Sequence, residues 1–403
     1  MKPLNHDKSI TPMKNKPVNS ARMPIYRDSG FELYDAETIA EAYRGESDPE
    51  RIPDHYLYSR YRNPTVEAAE LEVQKLEGTK WTILVESGMA AIDLAVSLFQ
   101  DAGDKRPWLF FSEIYGGTIS FADEILEKRR GIDIREFNPV NGKYNLDEFE
   151  SVVRNVRPKL VYVEIISNPL LLVPDAIGIF SIAKKYGVKI IVDNTFATPY
   201  LFKPADHGAD IVIHSATKYF SGHGNLTAGA VCGNDEALMK SAIKYRRYTG
   251  HMLSADDAYR LSTQILTFSL RFKQQCLNAE AIAALLQGSE VISRVWYPGL
   301  KDHPAHNEAK ILFGNKGFGG MVTFDFAGKS PAEKRRRRNE FIETVSEKIK
   351  VIPTLGDPRS IIMPVESVWG EKYPEPGMLR MSLGFEETEE ITGIITDALK
   401  KIK

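Results

Sequence analysis

A chain of 403 residues, 43% hydrophobic and 26% charged, has the composition of a soluble globular protein, and its length points to two domains or more. A formal net charge of −2 supplies no global basic field and so argues against nucleic acid as a partner. Two cysteines, Cys232 and Cys276, exclude a disulfide scaffold, and no apolar run has the length of a membrane span or a signal-peptide core, so a cytoplasmic location is expected.

Residues 1–22 are polar, carry no hydrophobic period and read as a flexible arm. The stretch 46–62 is again polar and rich in Tyr and Arg, including Tyr58, Arg60 and Arg62. Asn63-Pro64 then predicts a helix start, with Asn as N-cap and Pro in the first turn, and Gly78 closes that helix. From there, apolar strands alternate with helical stretches. Strands are predicted at Trp81–Val85, Trp108–Phe111, Leu160–Glu164, Ile190–Val192 and Ile211–Ile213, and helices at Met89–Phe99 and Ile177–Tyr186. Runs such as KIIVDN lack alternation, as expected of parallel strands covered on both faces. The pattern is α/β, with a central, mostly parallel sheet.

After about residue 265 the texture changes. Helical segments precede the strand candidates 319–326 and 378–385, and a terminal helix begins at Thr388. The expected organisation is an N-terminal arm over 1–64, a cofactor-binding α/β domain over 65–265 and a smaller α+β domain over 266–403. Lys334–Arg338 is a run of five cations. Ser330-Pro331-Ala332-Glu333 is a capping-box start, which favours an exposed helix surface over a polyanion site.

The segment VDNTFATPYLFKPADHGADIVIHSATKYFSGHG (192–224) carries the chemistry. Asp193 ends one buried strand, and Ser215-Ala216-Thr217-Lys218 follows another. Strand C-termini line the ligand crevice of open α/β sheets. An aldehyde cofactor on an aromatic ring needs a lysine to form an imine and an acid to keep the ring nitrogen protonated. Alone, each residue is more often a turn cap or a surface group; their joint spacing after two buried strands argues otherwise. Ser215 and Thr217 offer hydroxyls to a phosphate. Ser87-Gly88-Met89 joins a strand to a helix, where backbone N–H groups form an anion site. Tyr115 follows another buried strand, placed to stack on a ring and to exchange protons. No metal is expected.

These motifs resemble the Cys/Met-metabolism family of pyridoxal-phosphate enzymes, which includes cystathionine γ-synthase, cystathionine γ-lyase, methionine γ-lyase and the homoserine sulfhydrylases. The resemblance runs from about residue 55 onward and rests on YSRYRNPT (58–65), SGMAA (87–91), YGGT (115–118), SNP (167–169), VDNTFATPYL (192–201), HSATKY (214–219) and LRMSLGFE (379–386). SATKYFSGHGNLTAG (215–229) is most similar to methionine γ-lyase. The resemblance implies an aspartate-aminotransferase-like fold (fold type I) and pyridoxal 5'-phosphate as cofactor. It implies Lys218 as the Schiff-base lysine, Asp193 as partner of the pyridine nitrogen, and Tyr115 as stacking group and acid. Gly88, Met89, Ser215 and Thr217 would bind the phosphate. Tyr58 and Arg60 would reach the phosphate of a neighbouring subunit, in a homotetramer built from catalytic dimers. Asn168, Thr354 and Arg380 would stand around the substrate carboxylate. The implied reaction is γ-elimination to a 2-oxo acid and ammonia; γ-replacement on an activated homoserine is the alternative, with transamination a further rival.

The sequence also departs from the family. Gly117 stands where methionine γ-lyases carry a cysteine, Asn225 replaces an acidic residue, and Arg246-Arg247 replaces a Lys-Asp pair. Met363–Gly370 (MPVESVWG) lacks the usual His-Pro-Ala pattern. If Arg62, Arg246 and Arg247 approached the pocket mouth, with added room at Gly117, an anionic or zwitterionic γ-substituent would be favoured.

Overall fold

Short β-branched and aromatic runs without alternation build one large sheet, seen in a computed structural model that describes residues 21–45 and 55–402. Its strands are β1 (Trp81–Val85), β2 (Trp108–Phe111), β3 (Ile134–Phe137), β4 (Leu160–Glu164), β5 (Lys189–Asp193), β6 (Ile211–His214) and β7 (Gly229–Gly233). They are ordered β1-β7-β6-β5-β4-β2-β3. All neighbours are parallel except around β7, which runs antiparallel to both β1 and β6. β1 therefore points the same way as β6. Six strands deliver their C-terminal ends to a single edge, and the residues that follow converge there.

β7 (GAVCG) has no periodicity signal in the sequence, because its glycines answer to packing rather than to β-propensity. A Cβ on Gly229 would collide with the Ser87 carbonyl, so this strand lies hard against the turn after β1. The helix predicted after Asn63 spans Pro64–Glu77. The Asn63 side chain accepts from the N–H groups of Thr65 and Val66, and Gly78 closes the helix in the left-handed conformation at φ 79°. The helix following β1 is Gly88–Ser97, and Ala176–Lys185 takes the place expected for 177–186.

A second sheet comprises β8 (Ile292–Trp296), β9 (Met321–Phe326), β10 (Lys350–Val351), β11 (Ile361–Pro364) and β12 (Met378–Ser382), ordered β10-β11-β12-β9-β8. Its own apolar core includes Phe324, Phe341, Leu379 and Met381, together with Ile391 and Ile395 of the terminal helix Thr388–Lys401. The boundary near 265 is not a clean break between cores. Helix Phe268–Gln287 buries Phe268 and Phe272 in the large core, and Ala279, Ile282 and Leu286 in the small one.

Helix Pro331–Val345 begins as expected, with Ser330 Oγ accepting from the Glu333 N–H. Its cations are not a free basic surface. Lys334 pairs with Asp325, Arg336 with Glu340, and Arg337 donates to the Ala327 carbonyl, while Arg338 is buried against Glu366. Exposure of the whole run is thus corrected: the helix turns one arginine inward to meet a carboxylate. Of the arm expected over 1–22, only residues 21–22 lie within the described residues. Among the described residues no helix is long and apolar enough to cross a membrane.

Candidate active site

The converging edge opens into a cavity of about 410 Å³ between the two sheets. From β1 come Ser87, Gly88 and Met89, from β2 Tyr115, from β4 Glu164 and Asn168, from β5 Asp193, and from β6 Ser215, Thr217 and Lys218. The small sheet contributes Thr354 after β10 and Arg380 on β12. Ten of the twelve site residues expected from sequence line this one space. Tyr58 and Arg60 do not line it in their own chain. The Arg60 guanidinium lies 5.3 Å from the Tyr58 ring centre and donates to the Arg247 carbonyl at 2.7 Å.

At one end the cavity forms an anion cradle. At the start of helix Gly88–Ser97 the Ala90 N–H is capped by Ser87 Oγ at 3.1 Å, which leaves the N–H groups of Gly88 and Met89 for an anion. A Cβ on Gly88 would stand 2.8 Å from Cβ of Ser215, so only glycine lets the helix start and the Ser215 hydroxyl close on the same point. Thr217 is different. Its hydroxyl donates to the Ala228 carbonyl at 3.1 Å and accepts from the Ala228 N–H at 2.9 Å, so a phosphate would have to compete for its proton.

In the middle, Asp193 Oδ1 accepts from the Thr195 N–H at 2.9 Å, and burial pushes the Asp193 carboxyl up from its ordinary value. A cationic ring nitrogen against Asp193 would relieve that cost. Lys218 Nζ donates to Thr354 Oγ1 at 2.7 Å, and its pKa falls to about 8 through burial and then the nearby Arg380 charge. The cradle, the buried acid and the lysine of depressed pKa together fit pyridoxal phosphate.

Opposite them, Arg380 donates to Asn168 Oδ1 at 2.9 Å and to the Thr354 carbonyl at 3.1 Å. Both partners are neutral and Arg380 is 4% exposed, which leaves a buried cation short of an anion. Burial lowers its pKa to about 10.

Sequence reasoning passed over Glu164 and Trp369, which also line the cavity. Glu164 Oε1 accepts from the Tyr115 N–H at 2.6 Å and so fixes the turn that carries Tyr115. Its signal was its place as the last residue of a strand beside the one ending in Asp193.

The three further arginines stand elsewhere in the chain. None lines the cavity of its own chain. Arg246 is buried against Glu70 at 2.5 Å, Arg62 pairs with Glu67, and Arg247 rests 3.8 Å from the Tyr61 ring centre. Their charges are already met by carboxylates or an aromatic face. Nor does Gly117 leave free room: a Cβ there would overlap the Tyr115 ring, which occupies that space.

A family model for Cys/Met metabolism PLP-dependent enzymes matches residues 9–400. The chain belongs to this family. It is 36% identical to a cystathionine beta-lyase of Lactococcus lactis subsp. cremoris (strain MG1363), over 87% of this chain and 90% of that one. It is 31% identical to an L-methionine gamma-lyase of Porphyromonas gingivalis (strain ATCC BAA-308 / W83), over 94% and 92%. Among solved structures, cystathionine gamma synthase from Xanthomonas oryzae pv. oryzae in complex with cystathionine superposes with a TM-score of 0.81 at 28% identity, over 94% of this chain and 92% of that one. As a member of the Cys/Met family the chain is a pyridoxal-phosphate enzyme of sulfur amino-acid metabolism with the aspartate-aminotransferase-like fold.

Proposed function

We propose that the chain is a carbon–sulfur lyase that cleaves the γ-substituent from a sulfur-containing L-amino acid. Substrate and water go to a thiol, a 2-oxo acid and ammonia. The observation that carries this reading is the shared hold on Thr354: its hydroxyl accepts from Lys218 and its carbonyl from Arg380. A buried cation without an anionic partner suits an α-carboxylate, and the amine beside it is then set over the α-carbon.

When bound, pyridoxal phosphate supplies the aldehyde carbon that Lys218 bonds and a ring that withdraws electrons from the α-carbon. Gly88, Met89 and Ser215 would hold its phosphate, with Thr217 alongside, and Asp193 would keep the proton on its ring nitrogen. Lys218 Nζ would be the base for the α-proton, and the burial that lowers its pKa to about 8 favours its free-base form. Arg380 and Asn168 fix the carboxylate. The same Lys218 amine, its α-proton passed on, would take a proton from Cβ, the Tyr115 hydroxyl would protonate the departing sulfur, and water would release the 2-oxo acid and ammonia.

Tyr58 and Arg60 complete the phosphate site of a neighbouring subunit, in catalytic dimers paired as a cytoplasmic homotetramer. Their absence from their own cavity supports this, as does the exposure of Tyr58. The 28–36% identity shared with both lyases and a synthase makes γ-replacement the second reading. Mass spectrometry of products from γ-substituted amino acids, with and without an added thiol, separates the two. A 2-oxo acid and ammonia in both arms supports elimination; a new thioether formed only with thiol supports replacement; neither product overturns both.

A further inference from the structure

Trp369 lies on a strap, Val365–Tyr373, that connects β11 to β12 and contains all but the first two residues of the MPVESVWG departure. Three anchors hold it. Glu366 accepts from Arg335 Nη2 at 2.5 Å and from Arg338 Nη1 at 3.0 Å, so two cations of the Lys334–Arg338 run pin the start of the strap. Val365 and Tyr373 pack with Trp296 and Met378 in a small apolar cluster of their own. At the far end the strap reaches onto the large domain. Lys372 Nζ donates to the Ser112 carbonyl at 2.6 Å and the Tyr373 hydroxyl bonds Glu113, both on the loop leading to Tyr115.

Between the anchors, Val368 and Trp369 face the cavity. The Arg380 guanidinium lies 5.5 Å from the indole centre, a cation–π distance. On its other side, Trp369 Nε1 stands 3.6 Å from where a Cβ of Gly116 would be. The indole thus spans the gap between the carboxylate anchor and the Tyr115 turn. With a carboxylate on Arg380 and an amine at Lys218, the substrate side chain runs on within the same cavity. The apolar part of its lining beside Arg380 and Thr354 includes Trp369, Val368, Met363, Pro353 and Leu355.

We propose that Trp369 is a specificity-determining residue: held by the Glu366 and Lys372 anchors, it gauges the distal group of the substrate and selects a compact, neutral thioether over a bulky or charged arm. This rests on the reading that Arg380 takes the α-carboxylate. An uncharged apolar wall gains by excluding water from a thioether, and it leaves a charged arm desolvated without a partner.

The holoenzyme and its Trp369→Phe, Trp369→Ala and Glu366→Ala variants are compared with methionine and with cystathionine. Wild type should favour methionine in kcat/KM by tenfold or more. Trp369→Ala should raise KM for methionine about tenfold with kcat within threefold, and bring the two substrates together. Trp369→Phe should stay within threefold of wild type. Glu366→Ala, which frees the strap without touching the cavity, should reproduce part of the KM rise. A preference unchanged in both Trp369→Ala and Glu366→Ala, or a wild-type preference for cystathionine, overturns the proposal.

A binding arm separates this from failure of the functional reading. The emission of Trp369, taken as wild type minus Trp369→Phe, should be quenched by the unreactive 4-(methylthio)butanoate and not by butanoate. Quenching without turnover of any amino acid would sink the lyase reading and keep the recognition site. Equal response to the two acids would sink the site.

Discussion

Glu164 and Asp193 occupy the same rung of the parallel pair β4–β5, and both side chains face the cavity. Two carboxylates so placed in a buried setting cannot share the anionic state cheaply. Burial, and then the Asp193 charge, drive the Glu164 carboxyl well above its ordinary value. What Glu164 does for the site is accept the Tyr115 N–H, a task a glutamine carbonyl also performs, whereas Asp193 is the carboxylate assigned to the ring nitrogen. Glu164→Gln should therefore keep kcat within about threefold. Glu164→Ala strands the Tyr115 N–H, at a cost of ~1–3 kcal/mol in stability. Asp193→Asn should lower kcat by at least about a hundredfold, or roughly 2.7 kcal/mol. Steady-state kinetics and thermal melts on the three variants check the assignment; equal losses in Glu164→Gln and Asp193→Asn would refute it.

Lys218→Ala should abolish turnover together with the visible absorption of the bound cofactor. Absorbance spectroscopy of the purified variant decides this at once, and a fully active variant would remove the basis of the whole reading.

The same lysine makes a pH-dependent prediction for the cofactor-free protein. Its folded pKa of about 8 lies below the ordinary 10.5, so the folded state pays for burying a charged amine at every pH below 8. That penalty fades as pH rises from 8 to 10.5, where the unfolded chain still binds the proton and the folded chain does not. Lys218→Met should stabilise the cofactor-free protein at pH 7 by on the order of 1–3 kcal/mol. The gain should shrink above pH 8. Denaturant melts at pH 7, 8.5 and 10 would test it; a gain that grows with pH contradicts the sign.

Gly117 sets where Tyr115 stands, because any side chain at 117 would overlap that ring. Gly117→Ala should push the ring aside and cut kcat about tenfold, roughly 1.4 kcal/mol, with a smaller change in cofactor affinity. Unchanged kcat would show that the ring position seen here is not the working one.

Arg60→Ala should weaken cofactor retention, since the resemblance sends Arg60 to a neighbouring phosphate. Mixed oligomers of Arg60→Ala and Lys218→Ala chains contain one intact site per hybrid dimer, so part of the activity should return on mixing. Absence of recovery in oligomers shown by mass to be mixed would argue against a shared site.

Much of the site was legible because its chemistry sits at strand ends. Asp193, Lys218 and Ser87–Met89 each follow a run of buried residues, and a parallel sheet brings such ends to one edge. Arg380 and Thr354 became legible only through the family resemblance, since nothing in a β12 sequence of MLRMS says that its arginine faces another domain. β7 was silent because Gly229 is chosen for contact with Ser87, not for strand propensity. The arginines misled for a related reason. Sequence shows a charge but not its partner, and Glu70 lies 176 residues from Arg246. The same blindness hid the anchoring role of Arg335 and Arg338, which lies with Glu366.

Helix Phe268–Gln287 has a consequence for how this chain can be cut or recombined. One face of a single rod is committed to the large core through Phe268 and Phe272, and its later turns to the small core through Ile282 and Leu286. A break after residue 265 would strip apolar side chains from one piece and expose them on the other, so neither half should express as a well-behaved protein. The two halves should melt in one calorimetric transition. Grafting the small domain of a relative onto this large one would have to carry the helix whole, with its matching contacts on both sides.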